Sequence, residues 1–486
     1  MLSALQDQSL VRPAAHINGR WVDATPHGRY TLKNPATGET LIELPRFGSE
    51  ETRAAIDCAH AAFQSWKGCL AGRRADLLRR WYDLMIENRE DLARLITLEE
   101  GKPLNEARGE IDYAASFVRW FSEEARRAYG DVIAAPRASQ RILVLKQPVG
   151  VTAAITPWNF PAAMITRKAG PALAAGCTMV VKPASQTPLT ALALAELATR
   201  AGFPGGVFNV LTGNDTRTIG AELTGNVLVR KVTFTGSTQV GRMLLEQSAA
   251  TIKKCSMELG GNGPFIVFDD ADIDAALDGL MVAKFRNTGQ SCVGANRVLV
   301  QRNIYAAFAE AFTARVKMLK VGNGLDDGVE IGPLIDANAI AKVEEHIADA
   351  LAGGARILTG GKRHPLGGNF FEPTVLGDMK GGMKMACEET FGPVAGLFPF
   401  DTDDEAIALA NDTEFGLAAY FYARDHARIW RIAEAIETGM VGINCGLIST
   451  DIAPFGGIKQ SGLGREGSKY GMDEYIELKY LGWDGV

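Results

Sequence analysis

Cys292 stands in the stretch FRNTGQSCVGANR (residues 285–297), between Gly289 and Gly294. The thiolate is the nucleophilic form of cysteine, so a reactive cysteine needs a lowered pKa or a nearby base. The commoner role of a free cysteine is that of a small buried hydrophobe. A cysteine hydrolase would need a histidine partner held by a third group, and no histidine lies near this stretch. We interpret Cys292 as a candidate nucleophile that other parts of the chain must activate.

Two other side chains are candidates for the groups that such a nucleophile needs. Glu258 stands one residue before two glycines in MELGGN and offers a carboxylate. Taken alone, it is more often a surface glutamate before a loop. Asn159 lies in TPWNFP, a turn that two prolines make rigid. Its side-chain amide can donate a hydrogen bond from a fixed position.

The elements that must position these groups are short apolar runs that alternate with helices from Arg141 onward. These runs predict strands, and they are RILVL, VGVTAAI, TMVVKP, GVFNVL, VRKVTF and PFIVF. Continuous apolar strands that alternate with helices indicate parallel sheets covered on both faces. A second series of such units between about 297 and 445 predicts a second α/β domain.

Ligands of such sheets bind beyond the carboxyl ends of the strands. TPWNFP follows one strand, KPASQTP with Lys182 and Ser185 follows the next, and TGSTQVG with Gly236 and Ser237 follows a third. Gly236 allows a close approach of the backbone, and Ser237 begins a helix whose first N–H groups suit a pyrophosphate. Each feature alone is weak, since a glycine-serine pair at a helix start is usually a cap. Three strand ends in succession favour a dinucleotide site.

Composition bears on several other classes of function. The 486 residues exceed the usual size of one hydrophobic core, so we expect at least two domains. The net charge of -6 gives no general attraction to nucleic acid or anionic membranes, and no apolar run is long enough to span a bilayer. Seven dispersed cysteines and six dispersed histidines show no metal-ligand spacing. We expect no metal, no nucleic-acid or membrane partner and, in the absence of a secretory signal, a cytoplasmic protein.

Eight stretches resemble, in the same order, the NAD(P)-dependent aldehyde dehydrogenase superfamily. They are TPWNFP, KPASQTP, FTGST, MELGGN, FRNTGQSC, EETFGP, NDTEFGLAAYFYARD and PFGGIKQSGLGRE. Within the superfamily, ITRKAGPALAAGCTMVVKPASQTP and KFRNTGQSC are similar to the bacterial succinate-semialdehyde dehydrogenases that prefer NADP. The resemblance covers essentially the whole chain. It implies an α/β fold with two parallel-sheet domains and a small bridging β-sheet for oligomerisation.

The resemblance also implies the chemistry. Cys292 would attack the aldehyde carbon to give a thiohemiacetal, whose oxyanion Asn159 and the backbone N–H of Cys292 would hold. Loss of hydride to the nicotinamide leaves a thioester, which Glu258 hydrolyses by activating water. The implied reaction is oxidation of succinate semialdehyde to succinate with NADP or NAD. The alternative is glutarate semialdehyde or a broader range of aldehydes, since one methylene changes binding by only about 1–3 kcal/mol.

Nine residues are assigned to the cofactor by the resemblance. They are Lys182 and Ser185 at the adenosine ribose, Gly236 and Ser237 at the pyrophosphate, Glu389 and Phe391 at the nicotinamide side, and Pro157, Trp158 and Leu259. Relatives restricted to NAD commonly carry glutamate where this chain has Ser185. A neutral serine beside Lys182 removes the repulsion of a 2'-phosphate. We therefore predict that NADP is preferred and that NAD is also used.

The distal carboxylate of a semialdehyde needs cationic and hydroxyl partners. Arg167, Arg286 and Ser449 match the positions that hold it in the succinate-semialdehyde group. The alternative is that the arginines pair with carboxylates between domains. One departure from the group is Gly294, where relatives often have a second cysteine. A local disulfide switch is therefore excluded, and direct oxidation of Cys292 remains.

The resemblance further implies three structural units. They are a cofactor-binding domain of residues 1–130 and 149–258, a catalytic domain of residues 259–470, and an oligomerisation sheet of residues 131–148 and 471–486. Apolar and polar residues alternate over 476–480, as in a half-exposed strand, and the bridging sheet implies a homodimer or homotetramer. A noncatalytic relative with the same fold is the alternative from another class. The joint presence of Cys292, Glu258 and Asn159 argues against it.

Overall fold

Two large sheets and one small sheet organise the chain, and the computed structural model describes residues 2–485. The strands within those residues are β1 (Ala15–Ile17), β2 (Arg20–Val22), β3 (Arg29–Lys33), β4 (Thr40–Pro45), β5 (Asp131–Ile133), β6 (Gln140–Pro148), β7 (Val151–Ile155), β8 (Thr178–Lys182), β9 (Phe208–Val210), β10 (Val229–Thr235), β11 (Lys254–Glu258), β12 (Gly263–Val267), β13 (Ala295–Gln301), β14 (Arg356–Thr359), β15 (Thr374–Gly377), β16 (Val394–Phe400), β17 (Phe415–Gly416), β18 (Ala418–Tyr422), β19 (Met440–Ile443), β20 (Ile458–Lys459), β21 (Gly462–Leu463) and β22 (Ile476–Asp484).

The α-helices of the same residues are α1 (Ser49–Trp66), α2 (Ala71–Glu87), α3 (Arg89–Glu100), α4 (Leu104–Glu124), α5 (Ala163–Ala175), α6 (Pro188–Ala201), α7 (Thr216–Gly225), α8 (Thr238–Ala249), α9 (Ile273–Phe285), α10 (Arg302–Val316), α11 (Ala337–Ala352), α12 (Lys384–Cys387), α13 (Asp403–Asn411), α14 (His426–Ala435) and α15 (Tyr470–Asp473). Short 3-10 helices occupy Leu2–Ala4, Gln8–Leu10, Ala125–Arg127 and Arg286–Gly289. None of the helices in residues 2–485 is both long and apolar enough to cross a membrane.

The first large sheet has the strand order β2-β1-β9-β8-β7-β10-β11-β21. Its central strands β9, β8, β7, β10 and β11 are parallel, and β7 and β8 are buried along nearly their whole length, as their continuous apolar runs predict. The chain moves outward from β7 through α5, β8 and α6 to β9, and later returns to place β10 on the other side of β7. The carboxyl ends of β8, β7, β10 and β11 therefore lie side by side, where this kind of sheet binds ligands.

The second large sheet has the order β14-β15-β16-β13-β12-β18-β19 and is parallel except for the pair β14 and β15. Alternate residues of β12 and β13 enter separate cores: Phe265 and Val298 pack on one face, and Ile266 and Leu299 pack on the other. The chain runs from β12 through α9 to β13, and Cys292 lies between α9 and β13. The prediction of two parallel α/β sheets is confirmed.

The small sheet is antiparallel, with the order β22-β6-β5. Strand β22 pairs with β6 from Ile476 opposite Pro148 to Asp484 opposite Gln140. The predicted strand at RILVL belongs to β6 and thus to this sheet, because its side chains are exposed or half-buried instead of being buried on both faces. Leu478 is 69% exposed. A small antiparallel sheet beside the two α/β sheets is confirmed, and its role in assembly stays a proposal.

Candidate active site

Cys292 lies on the segment between α9 and β13, whose backbone has an uncommon conformation. Asn287 and Thr288 have left-handed φ values of 53° and 58°, which residues other than glycine hold only with support from their surroundings. Glu106 Oε2 accepts a hydrogen bond from Asn287 N at 2.7 Å. Thr288 Oγ1 accepts one from Gly332 N at 3.0 Å. These contacts hold the segment that carries Cys292 against both α4 and the second α/β unit.

Burial raises the pKa of the Cys292 thiol to about 12. The Glu389 carboxylate also raises this pKa, Arg167 lowers it, and Glu258 raises it. Glu258, one of several groups that could activate the nucleophile, therefore opposes thiolate formation as a charge and can assist only by accepting the proton. Cys292 of the cofactor-free protein is a protonated thiol near neutral pH.

We expect the alkylation rate of Cys292 in the cofactor-free protein to rise about tenfold per pH unit from pH 7 to pH 9, because the reactive thiolate is a minor species throughout that range. The measurement is mass spectrometry of the Cys292 peptide after timed exposure to iodoacetamide. The Cys292→Ser variant identifies labelling at the other six cysteines. A rate that levels off near neutral pH would contradict the raised pKa.

Asn159 lies in the turn after β7 and contacts the nucleophile segment through both its backbone and its side chain. Its Nδ2 donates to the carbonyl of Gln290 at 3.0 Å, and its own carbonyl accepts from Asn287 Nδ2 at 3.0 Å. An amide nitrogen carries two hydrogens, and one is used in this contact. The other can donate to an oxygen that gains charge near Cys292.

Glu258 is the last residue of β11, and neither oxygen of its buried carboxylate has a hydrogen-bond partner among residues 2–485. Burial raises the pKa of Glu258 well above its usual range, and Glu466 raises it further, while Arg167 and Lys168 lower it. A buried carboxylate with a raised pKa can act as a general base closer to neutral pH than an exposed glutamate can.

The charged cluster beside Glu258 contains Arg167, which the sequence analysis named, together with Lys168 and Glu466, which it missed. Glu466 forms buried salt bridges with Arg167 and Lys168, and Lys168 Nζ donates to Thr235 Oγ1 at 2.7 Å. Although burial raises the pKa of Glu466, Arg167 and Lys168 lower it below its usual range. The signal available in the sequence was the stretch PFGGIKQSGLGRE, which ends at Glu466.

A cleft of about 350 Å³ reaches Cys292. Its lining includes seven of the nine expected cofactor residues, namely Pro157, Trp158, Gly236, Ser237, Leu259, Glu389 and Phe391.

Glu389 Oε1 is buried without a hydrogen-bond partner in residues 2–485, so it can accept from a ribose hydroxyl. Ser237 caps α8, whose first N–H groups suit a pyrophosphate. Trp158 and Phe391 pack edge to face, with 5.6 Å between ring centroids. The residues present fit a nicotinamide dinucleotide.

The other two expected cofactor residues, Lys182 and Ser185, do not line this cleft. Lys182 ends β8, directly beside Ile155 of β7, and its Nζ donates to the carbonyl of Pro183 at 2.6 Å. Burial lowers the pKa of Lys182 to about 8. The Ser185 hydroxyl donates to Gln186 Oε1 at 3.2 Å. Both residues lie at the carboxyl edge of the first sheet, one strand away from the turn that carries Asn159.

A second, narrow cavity also reaches Cys292. It is lined by all three residues expected to bind a carboxylate: Arg167, Arg286 and Ser449. Sequence reasoning missed the aromatic part of its wall, which consists of Tyr113, Phe160 and Phe455. The Tyr113 hydroxyl is buried there and has no hydrogen-bond partner within 3.5 Å in suitable orientation among residues 2–485. No local motif joins these aromatic residues to Cys292, because they come from three distant parts of the chain.

The two arginines of this cavity differ in what they already bind. The Arg167 side chain is 1% exposed and pairs with Glu466, as the alternative interpretation of the arginines predicted. Arg286 forms no salt bridge within residues 2–485, and its guanidinium lies over the Phe160 ring at 4.8 Å from the centroid. Arg286 is therefore the arginine that is available to an anionic ligand.

Comparison with known proteins identifies the family. The aldehyde dehydrogenase family model matches residues 21–481. The chain is 62% identical over 477 residues to the NADP-dependent succinate-semialdehyde dehydrogenase of Escherichia coli K12, covering 98% of this chain and 99% of that protein. It is 61% identical over 482 residues to a glutarate-semialdehyde dehydrogenase of Pseudomonas aeruginosa, with coverage of 99% and 100%. The crystal structure of an E. coli NADP-dependent enzyme, 61% identical, matches with a TM-score of 0.98 over 99% of this chain and 100% of that chain. The chain therefore belongs to the aldehyde dehydrogenase family and is an NAD(P)-dependent oxidoreductase.

Proposed function

We propose that this aldehyde dehydrogenase oxidises succinate semialdehyde to succinate with NADP. The observation that carries the proposal is the narrow cavity whose lining brings Cys292 together with Arg286 and Ser449. A semialdehyde bound there can present its aldehyde to the thiol while its carboxylate meets a cation and a hydroxyl. The named activity of the E. coli relative supports the same substrate and cofactor.

In the proposed reaction, Cys292 loses its thiol proton to solvent, and Sγ forms a bond to the aldehyde carbon. The aldehyde oxygen gains negative charge and accepts hydrogen bonds from Asn159 Nδ2 and the backbone N–H of Cys292. When bound, the nicotinamide ring supplies the hydride acceptor that converts this adduct to a thioester. Glu258 then takes a proton from a water molecule, which attacks the thioester and releases the carboxylate product.

Glutarate semialdehyde is the competing substrate, and the Pseudomonas aeruginosa relative is named for it. The experiment that separates the two is a panel of succinate semialdehyde, glutarate semialdehyde and an uncharged aldehyde of similar length, each assayed with NADP and NAD. We expect the highest kcat/KM with succinate semialdehyde and NADP. A higher value for glutarate semialdehyde would favour the competitor, and no NADPH formation with any aldehyde would favour a noncatalytic protein.

Replacing Ser185 by glutamate is expected to reverse the cofactor preference. The new carboxylate would repel a 2'-phosphate beside Lys182, so kcat/KM with NADP should fall at least about tenfold while the value with NAD changes little. Initial rates at saturating aldehyde and varied cofactor provide the measurement. The Ser185→Ala control should keep the preference for NADP. A wild-type protein that strongly prefers NAD would refute the role of Ser185.

The division of the chain proposed from the sequence has residues 1–130 and 149–258 binding the cofactor, residues 259–470 carrying the nucleophile, and residues 131–148 with 471–486 forming an interface with a second copy. The support for the interface is apolar exposure on β22, where Leu478 and Tyr480 are 69% and 61% exposed on one face. A homodimer or homotetramer would bury that face. A cytoplasmic location is part of the same proposal, and cell fractionation tests it.

The variant Leu478→Asp/Tyr480→Asp is expected to be a monomer, because two charges on this face would oppose its burial. Sedimentation velocity gives the mass of the wild type and the variant at equal concentration. The control is Ile252→Asp, which changes an exposed apolar residue outside the small sheet and should leave the mass unchanged. A monomeric wild type, or an unchanged mass of the double variant, would refute the interface.

A further inference from the structure

Lys102 and Glu110 form a salt bridge whose side chains are 1% and 0% exposed, with 2.5 Å between Nζ and Oε2. Lys102 Nζ also donates to the backbone carbonyl of Asn159 at 2.7 Å. We propose that Lys102 is a positioning residue that sets the oxyanion-binding amide of Asn159. The inference rests on the role proposed for Asn159 in the reaction.

The Asn159 turn is held on both sides by this ion pair. Glu110 Oε1 accepts hydrogen bonds from Ala162 N at 2.9 Å and Ala163 N at 3.3 Å, at the start of α5. Lys102 Nζ lies 3.9 Å from the centroid of the Phe160 ring. The segment after Asn159 therefore contacts the Lys102–Glu110 pair through both its backbone and its aromatic side chain. By holding this segment, the pair fixes the direction in which the Asn159 side chain leaves the backbone.

The carbonyl of Asn159 also joins the pair to the nucleophile segment. It accepts from Asn287 Nδ2 at 3.0 Å as well as from Lys102. Asn159 Nδ2 in turn donates to the carbonyl of Gln290, two residues before Cys292. The backbone carbonyl and the side-chain amide of Asn159 thus both contact the segment that carries Cys292, and Lys102 holds the carbonyl.

A buried salt bridge is weak evidence for stability, because removing two charges from water costs about as much as their attraction returns. The Lys102–Glu110 salt bridge instead serves to hold the Asn159 turn in one position. Without the ammonium of Lys102, the Asn159 carbonyl loses its charged donor and Glu110 loses its partner. The turn can then relax, and a displacement of about 1 Å at a catalytic group lowers a rate on the order of 100-fold.

The test is a double-mutant cycle on the rate constant of the first NADPH turnover, with NADP and saturating succinate semialdehyde. Asn159→Ala should lower this rate constant about 100- to 1000-fold, and Lys102→Met about 10- to 100-fold. The double variant should lie within about twofold of Asn159→Ala alone, because Lys102 acts through Asn159. The dissociation constant of NADPH, measured by fluorescence, should not change in Lys102→Met.

The matched control is Lys231→Met, which removes another lysine that is 0% exposed and paired with a glutamate, Glu474. It should lower the thermal midpoint about as much as Lys102→Met does and leave the first-turnover rate within about twofold. If Lys102→Met does not fold, Glu110→Gln displaces the Lys102 ammonium and gives the same non-additive pattern with Asn159→Ala.

Three outcomes decide whether Lys102 positions Asn159. Non-additivity of Lys102→Met with Asn159→Ala supports the positioning role. Effects that multiply, or a Lys102→Met variant as fast as wild type, overturn it while leaving the proposed function intact. A wild-type rate in Asn159→Ala overturns the role of Asn159 itself and the inference with it.

Discussion

Glu258→Gln is expected to form about one NADPH per active site rapidly and then to turn over about 100- to 10000-fold more slowly than the wild type. The first phase survives because Cys292 and Asn159, which form the thioester, are unchanged. The slow phase follows because glutamine cannot take a proton from the hydrolytic water. Stopped-flow absorbance of NADPH gives both the amplitude of the burst and the steady-state rate.

The pH dependence of the steady state provides the control for this prediction. Burial and Glu466 raise the pKa of Glu258 well above its usual range. A base acts only when deprotonated, so the wild-type steady-state rate should fall as pH drops through this raised pKa. Glu258→Gln should lose this acid limb, while Glu310→Gln, a change of an exposed glutamate on α10, should keep it. A Glu258→Gln variant with an undiminished steady-state rate would remove Glu258 from the mechanism.

The cofactor cleft could be predicted because its parts are local in the sequence. Each parallel strand is an apolar run, and the residues after it share one edge of a sheet. Trp158, Gly236 and Ser237 therefore meet as the strand pattern required. Strand β11 was not predicted, since Lys254, Ser256 and Glu258 interrupt its apolar residues. Without that strand, the sequence pattern did not predict burial of Glu258, and only the family resemblance assigned its role in thioester hydrolysis.

Contacts between distant parts of the chain could not be predicted. Lys168 and Glu466 are 298 positions apart, and the salt bridge between them depends on how the segment after β21 returns to α5. Lys102 and Asn159 are 57 positions apart, and neither periodicity nor turn chemistry links them. Such pairs are set by tertiary packing, which a single sequence does not record.

The sequence also could not predict which arginine of the substrate cavity is free to bind a carboxylate. Sequence motifs identified Arg167 and Arg286 as equivalent candidates for a carboxylate. Their burial and partners separate them, since Glu466 already balances the charge of Arg167. Among residues 2–485, Arg286 is the arginine of the cavity that has no salt-bridge partner. The two arginines should therefore respond differently to substitution.

In Arg286→Ala, the substrate carboxylate loses its cationic partner in a largely buried cavity. The transition state for succinate semialdehyde should lose about 2–5 kcal/mol of stabilisation, so kcat/KM should fall about 30- to 4000-fold. Since Arg286 is half-buried, the lower part of that range is expected. An uncharged aldehyde of similar length loses no such partner, so its kcat/KM should change less than about threefold. Initial rates with both aldehydes at saturating NADP give the two values.

Arg167→Ala is the informative comparison. It leaves Glu466 with Lys168 alone and disturbs the charges around Glu258, so kcat should fall with the charged and the uncharged aldehyde alike. The selectivity between the two aldehydes should then stay near that of wild type, in contrast to Arg286→Ala. Equal losses with both aldehydes in Arg286→Ala would show that Arg286 supports the fold of the cavity and does not bind the carboxylate.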